Sequence, residues 1–247
     1  MKKIFISALT ISLLAVNSLS VSASTKTEEI LSLMPGVTSE ELEQSINDAA
    51  SSQNISKEEV EDKILNEIKL QKALDRKEKL ASSSRLNVRA AASSDNNPAS
   101  IYTLDASRNV GDIFYEPSTT ANIEHGHVGI YYTTNTIVES MPSSGVRSLS
   151  RLNKKVAKGS KIFTLDGVSQ SVKNGASSWA WSQIGCKYSY NFATNRLTSM
   201  SGDKNCSKLV WSAYKNAGNL DIDSNKGFGV YPKDILNYKA SRVYKTY

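Results

Sequence analysis

The sequence has few residues that carry nucleophilic or metal chemistry. Its 247 residues include two cysteines and two histidines, which excludes a disulfide-dense scaffold and leaves few ligands for a metal centre. The chain also lacks a basic stripe interleaved with aromatic residues, so a nucleic-acid partner is not expected. The candidates for chemistry are therefore few enough to weigh individually.

Aromatic residues are absent from most of the N-terminal part of the chain. None occurs between Phe5 and Tyr102, whereas all eleven tyrosines and all three tryptophans lie from Tyr102 onward. Because aromatic side chains dominate core burial, we expect no independent core in residues 24–98 and a folded domain in residues 99–247. The Ser-, Ala- and Asn-rich stretch from Ser82 to Ser100 predicts a linker between them.

A hydrophobic run long enough to span a membrane is also missing. Lys2 and Lys3 precede an apolar run over residues 4–16, which is shorter than the roughly 20 residues that a transmembrane helix needs. Small residues follow, up to Ala23. This pattern predicts a cleaved secretory signal peptide over residues 1–23, a secreted protein and no stable membrane span.

The chain without its signal peptide stays positively charged. The formal net charge of the whole sequence is +6, and cleavage would remove two lysines and no acidic residue. A positive excess suits an anionic cell-wall polymer as a partner. It serves solubility equally well, and both interpretations stay open.

Residues 24–98 carry helix signals. Thr38 with Glu41, and Ser56 with Glu59, match the capping box that begins a helix. Apolar residues then recur at helical spacing, at Val60, Ile64, Leu65, Ile68 and Leu74. Such an amphipathic stripe needs a partner. If the partner is the 99–247 domain, the segment is an inhibitory pro-region; otherwise it is a stalk or spacer.

Residues 99–247 combine strand and helix patterns, which indicates an α+β domain. Short apolar runs predict strands at 111–115, 127–132, 137–139 and 161–165. The polar segment Thr133–Thr136 predicts a hairpin loop between the second and third of these strands. Helices are predicted at 172–184 and at 206–217, the latter ending at Gly218.

Cys206 is the better placed of the two cysteines for catalysis. It follows the polar turn Asp203-Lys204-Asn205 and begins a predicted helix. A thiol in a first helical turn faces unpaired amides and the positive end of the helix dipole, which favours the reactive thiolate. Two alternatives stay open: an inert buried thiol, and a disulfide with Cys186.

His127 is the candidate base, because it begins an apolar strand whose rigid backbone holds its ring. His125 lies just before the strand and can share its face. Glu139 is the candidate for the third group that fixes the histidine tautomer. It shares a hairpin face with His127 if the loop has three or five residues. An exposed Glu139 is the alternative, and a His-x-His zinc site with a cysteine lacks further clear ligands.

Six segments of the chain, taken in order, resemble one family. They are Gly111-Asp112-Ile113-Phe114, Gly126-His127-Val128-Gly129-Ile130-Tyr131, Val138-Glu139, Ile184-Gly185-x-x-Tyr188, Asn205-Cys206-Ser207-Lys208-Leu209-Val210-Trp211 and Tyr231-Pro232-x-Asp234-Ile235-Leu236. Over roughly residues 105–240, their order and spacing resemble a circularly permuted papain-like cysteine hydrolase of the YiiX-like branch of the NlpC superfamily of cell-wall cysteine peptidases. In unpermuted members the cysteine precedes the histidine, whereas here His127 precedes Cys206.

The resemblance implies a permuted papain-like α+β domain, with a small antiparallel sheet packed on helices and the helical arm in front of it. It implies Cys206 as nucleophile, His127 as base and Glu139 as the orienting residue, with no metal ion or cofactor. Tyr188 matches a tyrosine beside the active site and would form an oxyanion pocket with the Cys206 amide. Cys186 departs from the family pattern, so an inactivating disulfide with Cys206 also stays open.

The implied reaction is amide hydrolysis through a thioester, and export favours the peptidoglycan stem peptide as substrate. Relatives of lecithin retinol acyltransferase use the same permuted fold, so a lipid hydrolase or acyltransferase is the enzymatic alternative. A pocket lined by Phe192, Trp179 and Trp181 would favour acyl chains, whereas acidic and amide groups would favour peptides. The non-enzymatic alternative is a catalytically inactive wall-binding module with an unreactive Cys206.

Overall fold

A computed structural model describes residues 25–86, 101–118, 126–198 and 200–247. The predicted signal peptide 1–23, most of the predicted linker and His125 lie outside these residues. We call residues 25–86 the helical arm and residues 101–247 the C-terminal domain.

The helical arm consists of α1 (Thr25–Leu33), α2 (Ser39–Gln53) and α3 (Lys57–Leu86). The first predicted capping box is confirmed, because Glu41 N donates to Thr38 Oγ1 and Thr38 N donates to Glu41 Oε2, each over 3.1 Å. At the second box, Glu59 N donates to Ser56 Oγ over 3.1 Å. Both helices therefore begin where their capping residues predict.

Helix α3 extends further than the sequence pattern indicates. It runs to Leu86, so the prediction that a linker begins at Ser82 is wrong. The segment 76–81 consists of strong helix formers, and a short run of serines after it costs little in helix propensity. The helix therefore continues into the Ser-rich stretch.

The helical arm has a small aliphatic core of its own. Buried residues from all three helices form one cluster, including Ile30, Leu42, Ile46 and Ile64, and two residues of the C-terminal domain, Ala193 and Phe228, complete it. The expectation of no independent core is therefore wrong in part, because side chains of the three helices, none of them aromatic, form most of this cluster. The predicted apolar stripe on α3 is buried at Val60, Ile64, Leu65 and Ile68, whereas Leu74 is 37% exposed.

Six strands of the C-terminal domain form an antiparallel sheet in the order β5-β4-β3-β2-β7-β8. They are β2 (Ile113–Glu116), β3 (His127–Tyr131), β4 (Thr136–Met141), β5 (Gly145–Ser150), β7 (Lys161–Leu165) and β8 (Ser241–Thr246). A separate pair consists of β1 (Tyr102–Thr103) and β6 (Lys155–Val156). The predicted strands are confirmed with small shifts at their ends, whereas β1, β5, β6 and β8 were not predicted.

Three helices belong to the C-terminal domain: α4 (Gln170–Ser182), α5 (Cys206–Gly218) and α6 (Pro232–Leu236). Asn219, rather than the predicted Gly218, takes the left-handed conformation that ends α5, with φ 50°. Helices α4 and α5 pack on each other and against β3 and β4. Within the part of the chain that the structure describes, no helix is long and apolar enough to cross a membrane.

Alternate strand residues face two apolar layers. Ile113 and Tyr115 of β2 belong to the cluster that α4 and α5 cover, whereas Phe114 belongs to a second cluster with Tyr131 and Val156. This sheet between helices and a small second layer confirms the predicted α+β fold. The sheet also brings the starts of β3 and α5 together, and these two elements carry the candidate catalytic residues.

Candidate active site

Cys206 is the first residue of α5, at the positive end of the helix dipole. Asn205 is the N-cap, and its side-chain Oδ1 accepts a hydrogen bond from Lys208 N over 2.9 Å. Cys206 is 2% exposed. The amides of a first helical turn have no partner within their own helix, so the Cys206 amide is available as a donor to a group bound at the thiol.

The turn before Cys206 is tied to neighbouring elements. Ser140 Oγ of β4 donates to Lys204 O over 2.5 Å, and Lys204 N donates to Lys187 O over 3.1 Å. These bonds fix the turn from the side of the sheet. The helix therefore begins at a defined position relative to β4.

Asn195, which was not predicted from the sequence, holds the other side of this helix start. Its Nδ2 donates to Asn205 Oδ1 over 3.3 Å and to Val230 O over 3.0 Å, while its Oδ1 accepts from Val230 N over 2.7 Å. Ser207 Oγ donates to the same Val230 carbonyl over 2.6 Å. These residues are far apart in sequence, so no local pattern could have predicted the network.

His127 lies at the start of β3, and its ring contacts both Cys206 and Glu139. Nε2 is 2.8 Å from Glu139 Oε2, and a side-chain hydrogen bond joins the ring to Cys206. Since Nε2 faces the carboxylate, Nδ1 is the ring nitrogen left for the thiol. Tyr131 pairs with Ile137 across the hairpin, which leaves the five-residue loop that a shared face for His127 and Glu139 requires.

The His127 ring also packs against Phe114 of β2, with 5.7 Å between the ring centroids. The neighbouring Gly129 provides the space for the phenyl ring. A Cβ atom at Gly129 would lie 2.4 Å from Phe114 Cε1, closer than packed atoms approach each other. Glycine at this position therefore helps to hold the ring that supports His127.

Glu139 is fully buried among cationic groups. Besides His127, Arg147 donates to Glu139 Oε1 from Nε over 3.0 Å and from Nη2 over 2.7 Å. Lys154 Nζ lies 3.2 Å from Glu139 Oε2 and 3.0 Å from Glu116 Oε2. Glu139 is thus a buried, ion-paired residue, and the alternative of an exposed hairpin carboxylate is wrong.

Arg147, Lys154 and Glu116 were not predicted from the sequence. Arg147 lies directly opposite Glu139 on β5, and the turn residues Pro142, Ser143 and Ser144 after β4 were a signal for this strand. Lys154 follows a short 3-10 helix at Arg151–Asn153, and its sequence neighbours give no sign of a buried cation.

These surroundings favour the protonated form of His127. Burial alone would lower the pKa of His127, but its hydrogen bonds with Cys206 and Glu139 outweigh burial and raise the pKa to about 9. Burial would likewise raise the pKa of Glu139, yet His127, Lys154 and Arg147 hold it well below its usual range. At neutral pH the site therefore holds a carboxylate and an imidazolium beside the thiol.

Tyr188 lies in the segment that follows α4 and packs against the apolar cluster that contains Cys206. Burial first, and then the charges of Cys206 and Tyr190, raise the pKa of Tyr188 well above its ordinary value. The phenol therefore keeps its proton over the working pH range and can donate a hydrogen bond. A neutral donor of this kind is suited to a developing oxyanion.

Two alternatives from the sequence concern the cysteines and a metal ion. Cys186 and Cys206 are both free thiols in the structure, so the disulfide is not formed. Among the residues that the structure describes, no group of three or more histidine, cysteine, aspartate or glutamate residues is placed to hold a metal ion. His125, the other histidine of the zinc alternative, lies outside these residues.

A cleft of about 580 Å³ lies next to Tyr188, between the helical arm and the C-terminal domain. Its lining is rich in carboxylate, amide and hydroxyl groups, with Glu40 and Gln44 from the arm and Asn191 and Thr194 from the C-terminal domain among them. The cleft therefore offers many hydrogen-bonding groups to a ligand.

The aromatic residues that would have formed an acyl pocket do not line this cleft. Phe192 is buried and stacks on Tyr231, with ring centroids 6.0 Å apart, and Trp181 stacks on Tyr132 at 4.1 Å. Lys204 Nζ lies 5.6 Å from the ring centroid of Trp179. The three side chains therefore pack in separate places.

The fold and the arrangement at Cys206 define the class of the protein, a papain-like cysteine hydrolase in which the histidine-bearing strand precedes the cysteine-bearing helix. Residues 107–237 match the family described as permuted papain-like amidase enzyme, YaeF/YiiX, C92 family. The chain belongs to this family, and the predicted circularly permuted papain-like hydrolase is confirmed.

Two relatives were compared with the chain. The uncharacterized protein YycO of Bacillus subtilis (strain 168) is 40% identical over 210 residues, which is 85% of this chain and 82% of that protein. This match is longer than the segment from residue 107 to the C-terminus, so it includes part of the N-terminal region. A crystal structure of the metalloprotein YiiX from Escherichia coli O157:H7 matches with a TM-score of 0.41 and 13% identity, covering 59% of this chain and 99% of that chain.

Proposed function

We propose that the protein is an exported cysteine amidase with a Cys206–His127–Glu139 triad. One observation carries the proposal: the His127 ring contacts both Cys206 and Glu139, with 2.8 Å between Nε2 and the carboxylate oxygen. A histidine between a nucleophile and a carboxylate is the arrangement that activates a thiol and fixes the tautomer of the base.

The reaction begins when the Cys206 thiolate attacks the carbonyl carbon of the substrate amide. The oxyanion that forms accepts hydrogen bonds from the Cys206 amide and the Tyr188 hydroxyl. The His127 imidazolium then gives its proton to the nitrogen of the leaving amine, the C–N bond breaks, and a thioester remains on Cys206.

Hydrolysis of the thioester needs neutral His127. Because contact with Cys206 raises the pKa of His127, loss of the thiolate charge on acylation lowers that pKa again. The neutral imidazole takes a proton from water, the hydroxide attacks the thioester carbonyl, and the carboxylic acid leaves. Cys206 departs as the thiolate, which restores the original ion pair.

The substrate we propose is the peptidoglycan stem peptide. The amide and carboxylate side chains that line the cleft beside Tyr188 support a peptide substrate, because such groups can bind the backbone of a peptide. The lipid alternative has less support, because Phe192, Trp179 and Trp181 pack elsewhere. Export rests on the predicted signal peptide 1–23, and an anionic wall polymer is a proposed partner of the positively charged chain.

Turnover of a synthetic stem pentapeptide, read by mass spectrometry of the products, tests the proposal. We expect cleavage of an amide bond by the reduced wild-type chain, and loss of at least about a thousandfold in kcat/KM for Cys206→Ala and for His127→Ala. Cys186→Ala is the matched control and should keep its activity. Cleavage that survives Cys206→Ala would refute the triad, and hydrolysis of a phospholipid ester without peptide cleavage would favour the lipid alternative.

A further inference from the structure

The helical arm supplies one whole side of the cleft next to Tyr188. Gly36, in the turn between α1 and α2, and four residues of α2 line it, namely Glu40, Glu41, Gln44 and Ser45. The opposite side is formed by residues between Tyr188 and Lys208. Cys206 and His127 do not line the cleft themselves, but Asp203 and Lys208, on either side of Cys206 in the sequence, do. The cleft therefore exists only while the arm stays docked on the C-terminal domain.

The arm also packs behind Tyr188. Gly36 lies against the ring of Tyr190, so closely that a Cβ atom at position 36 would be 2.6 Å from Tyr190 Cγ. Gly36 has φ +96°, a conformation that few residues other than glycine adopt. The Tyr190 ring in turn makes an edge contact with Tyr188, with 5.0 Å between the centroids. The arm thus contacts the active-site tyrosine through one intervening ring.

Specific polar contacts keep the arm docked. Glu67 Oε2 of α3 accepts hydrogen bonds from Phe228 N over 3.0 Å and from Gly229 N over 3.3 Å. Gln71 Nε2 donates to Asp234 Oδ1 over 3.1 Å. Phe228 also closes the apolar core of the arm. This combination of shared core and buried hydrogen bonds makes the arm a fixed part of the folded molecule.

We propose that the helical arm is a substrate-binding element of the hydrolase. Helix α2 forms the wall of the cleft that receives the part of a peptide substrate beyond the scissile amide, and the α1–α2 turn positions Tyr188 through Tyr190. This proposal rests on the proposed function and assigns the arm a role different from that of the predicted inhibitory pro-region. The two roles predict opposite effects of changes in the arm.

Two tryptophan substitutions on α2 test whether this helix forms a wall of the substrate cleft. Gln44 and Glu43 are neighbouring exposed residues, but only Gln44 lines the cleft. In the full chain, Gln44→Trp should lower kcat/KM for the stem pentapeptide at least about tenfold by filling the cleft. Glu43→Trp should stay within about twofold of wild type. Alkylation of Cys206 by iodoacetamide should be equal in all three proteins, because the thiol and His127 are untouched.

The outcomes separate this inference from the proposed function. Equal pentapeptide turnover by Gln44→Trp and wild type would overturn the proposal that α2 forms a wall of the substrate cleft. Faster turnover by Gln44→Trp would overturn it too, because it would show that the arm restricts access to the cleft. If the wild-type chain itself left the pentapeptide intact, the proposed substrate would fall, and this inference with it.

Substitutions at Tyr190 test the positioning of Tyr188. Tyr190→Ala removes the ring between Gly36 and Tyr188, and we expect kcat to fall about tenfold. Because Tyr190 also lines the cleft, KM should rise as well, and the fall in kcat is the result that reports on Tyr188. Tyr190→Phe keeps the ring and should retain wild-type kcat. Loss of kcat by both variants, or by neither, would overturn the positioning role.

Discussion

Two glutamates, the fully buried Glu139 in the active site and the partly buried Glu67 between the arm and the C-terminal domain, have opposite surroundings. Glu139 is contacted by His127, Arg147 and Lys154, and these hold its pKa well below the usual range. Glu67 contacts backbone amides instead. Burial raises the pKa of Glu67 to about 8, and the nearby Asp234 and Asp223 add to the increase.

The difference shows that the neighbouring charges, and not burial alone, decide whether a buried carboxyl group is ionised. At neutral pH, Glu139 in the active site is ionised, whereas Glu67 between the arm and the C-terminal domain keeps its proton. Between the ordinary pKa of glutamate and about 8, the folded state binds a proton at Glu67 that the unfolded chain has released. The contribution of Glu67 to stability is therefore present at low pH and is lost as pH rises through this window.

The largest effect should come from removing the carboxylate of the active site. Glu139→Ala leaves the buried His127 and also Arg147 without their carboxylate partner, and leaves Lys154 with Glu116 alone. We expect the free energy of unfolding in urea at pH 7 to fall by about 3–5 kcal/mol. Asp166→Ala is the matched control, because Asp166 pairs with Arg242 on the surface, and such pairs contribute at most about 1 kcal/mol. Equal losses in both variants would contradict the account of Glu139.

A smaller effect should follow from removing one cation near Glu139. Lys154 lowers the pKa of His127 by charge repulsion, so Lys154→Met should move the NMR titration of the His127 ring to higher pH. We expect the free energy of unfolding to fall by about 2 kcal/mol as well, because two buried carboxylates lose a partner. Lys155→Met, next in sequence but exposed, should change neither quantity. If the titration of the His127 ring moved to lower pH, the inferred charge repulsion between Lys154 and His127 would be contradicted.

At the interface, removal of a carboxyl charge should stabilise the protein. Glu67→Gln stays neutral at every pH, so we expect a gain on the order of 1 kcal/mol in the free energy of unfolding at pH 8. The gain should be smaller at pH 5, where Glu67 of the wild type is protonated in the folded state. Glu59→Gln on the same helix is an exposed control and should show no such pH dependence. Destabilisation by Glu67→Gln at pH 8 would contradict the raised pKa of Glu67.

The smallest effect should come from Arg147→Lys. The Arg147 side chain is 41% exposed, and lysine keeps the charge while losing the two-bond contact with Glu139. We expect a loss below about 1 kcal/mol in the free energy of unfolding and a modest fall in kcat. If this variant lost as much stability as Glu139→Ala, Arg147 would hold Glu139 largely on its own.

The sequence was informative where chemistry depends on rare residues and local periodicity. With two cysteines and two histidines in the chain, the candidates were few, and their predicted places at a helix start and a strand start favoured Cys206 and His127. Glu139 was expected to share a face with His127 if the hairpin loop had an odd number of residues, and the structure has such a loop. Hairpins and helix caps are local features, so their positions follow from neighbouring residues.

The sequence could not predict contacts between distant parts of the chain. Lys154 contacts Glu139 from a different element of the fold. Glu67 contacts Phe228, which lies 161 residues further along the chain. The cleft next to Tyr188 likewise exists only because the helical arm packs against the C-terminal domain. Absence of aromatic residues suggested that the arm had no core, whereas aliphatic residues with Ala193 and Phe228 are sufficient.

The most direct test of the account is the rate of Cys206 alkylation by iodoacetamide as a function of pH, in the wild type and in His127→Ala. Mass spectrometry of the intact protein, with Cys186→Ala as background, assigns the label to Cys206. The account predicts rapid labelling well below pH 8 in the wild type, because the protonated His127 ring stabilises the thiolate, and loss of this labelling in His127→Ala. Slow labelling with the pH profile of an ordinary thiol, unchanged by the substitution, would contradict the paired Cys206 and His127 on which the proposed hydrolase depends.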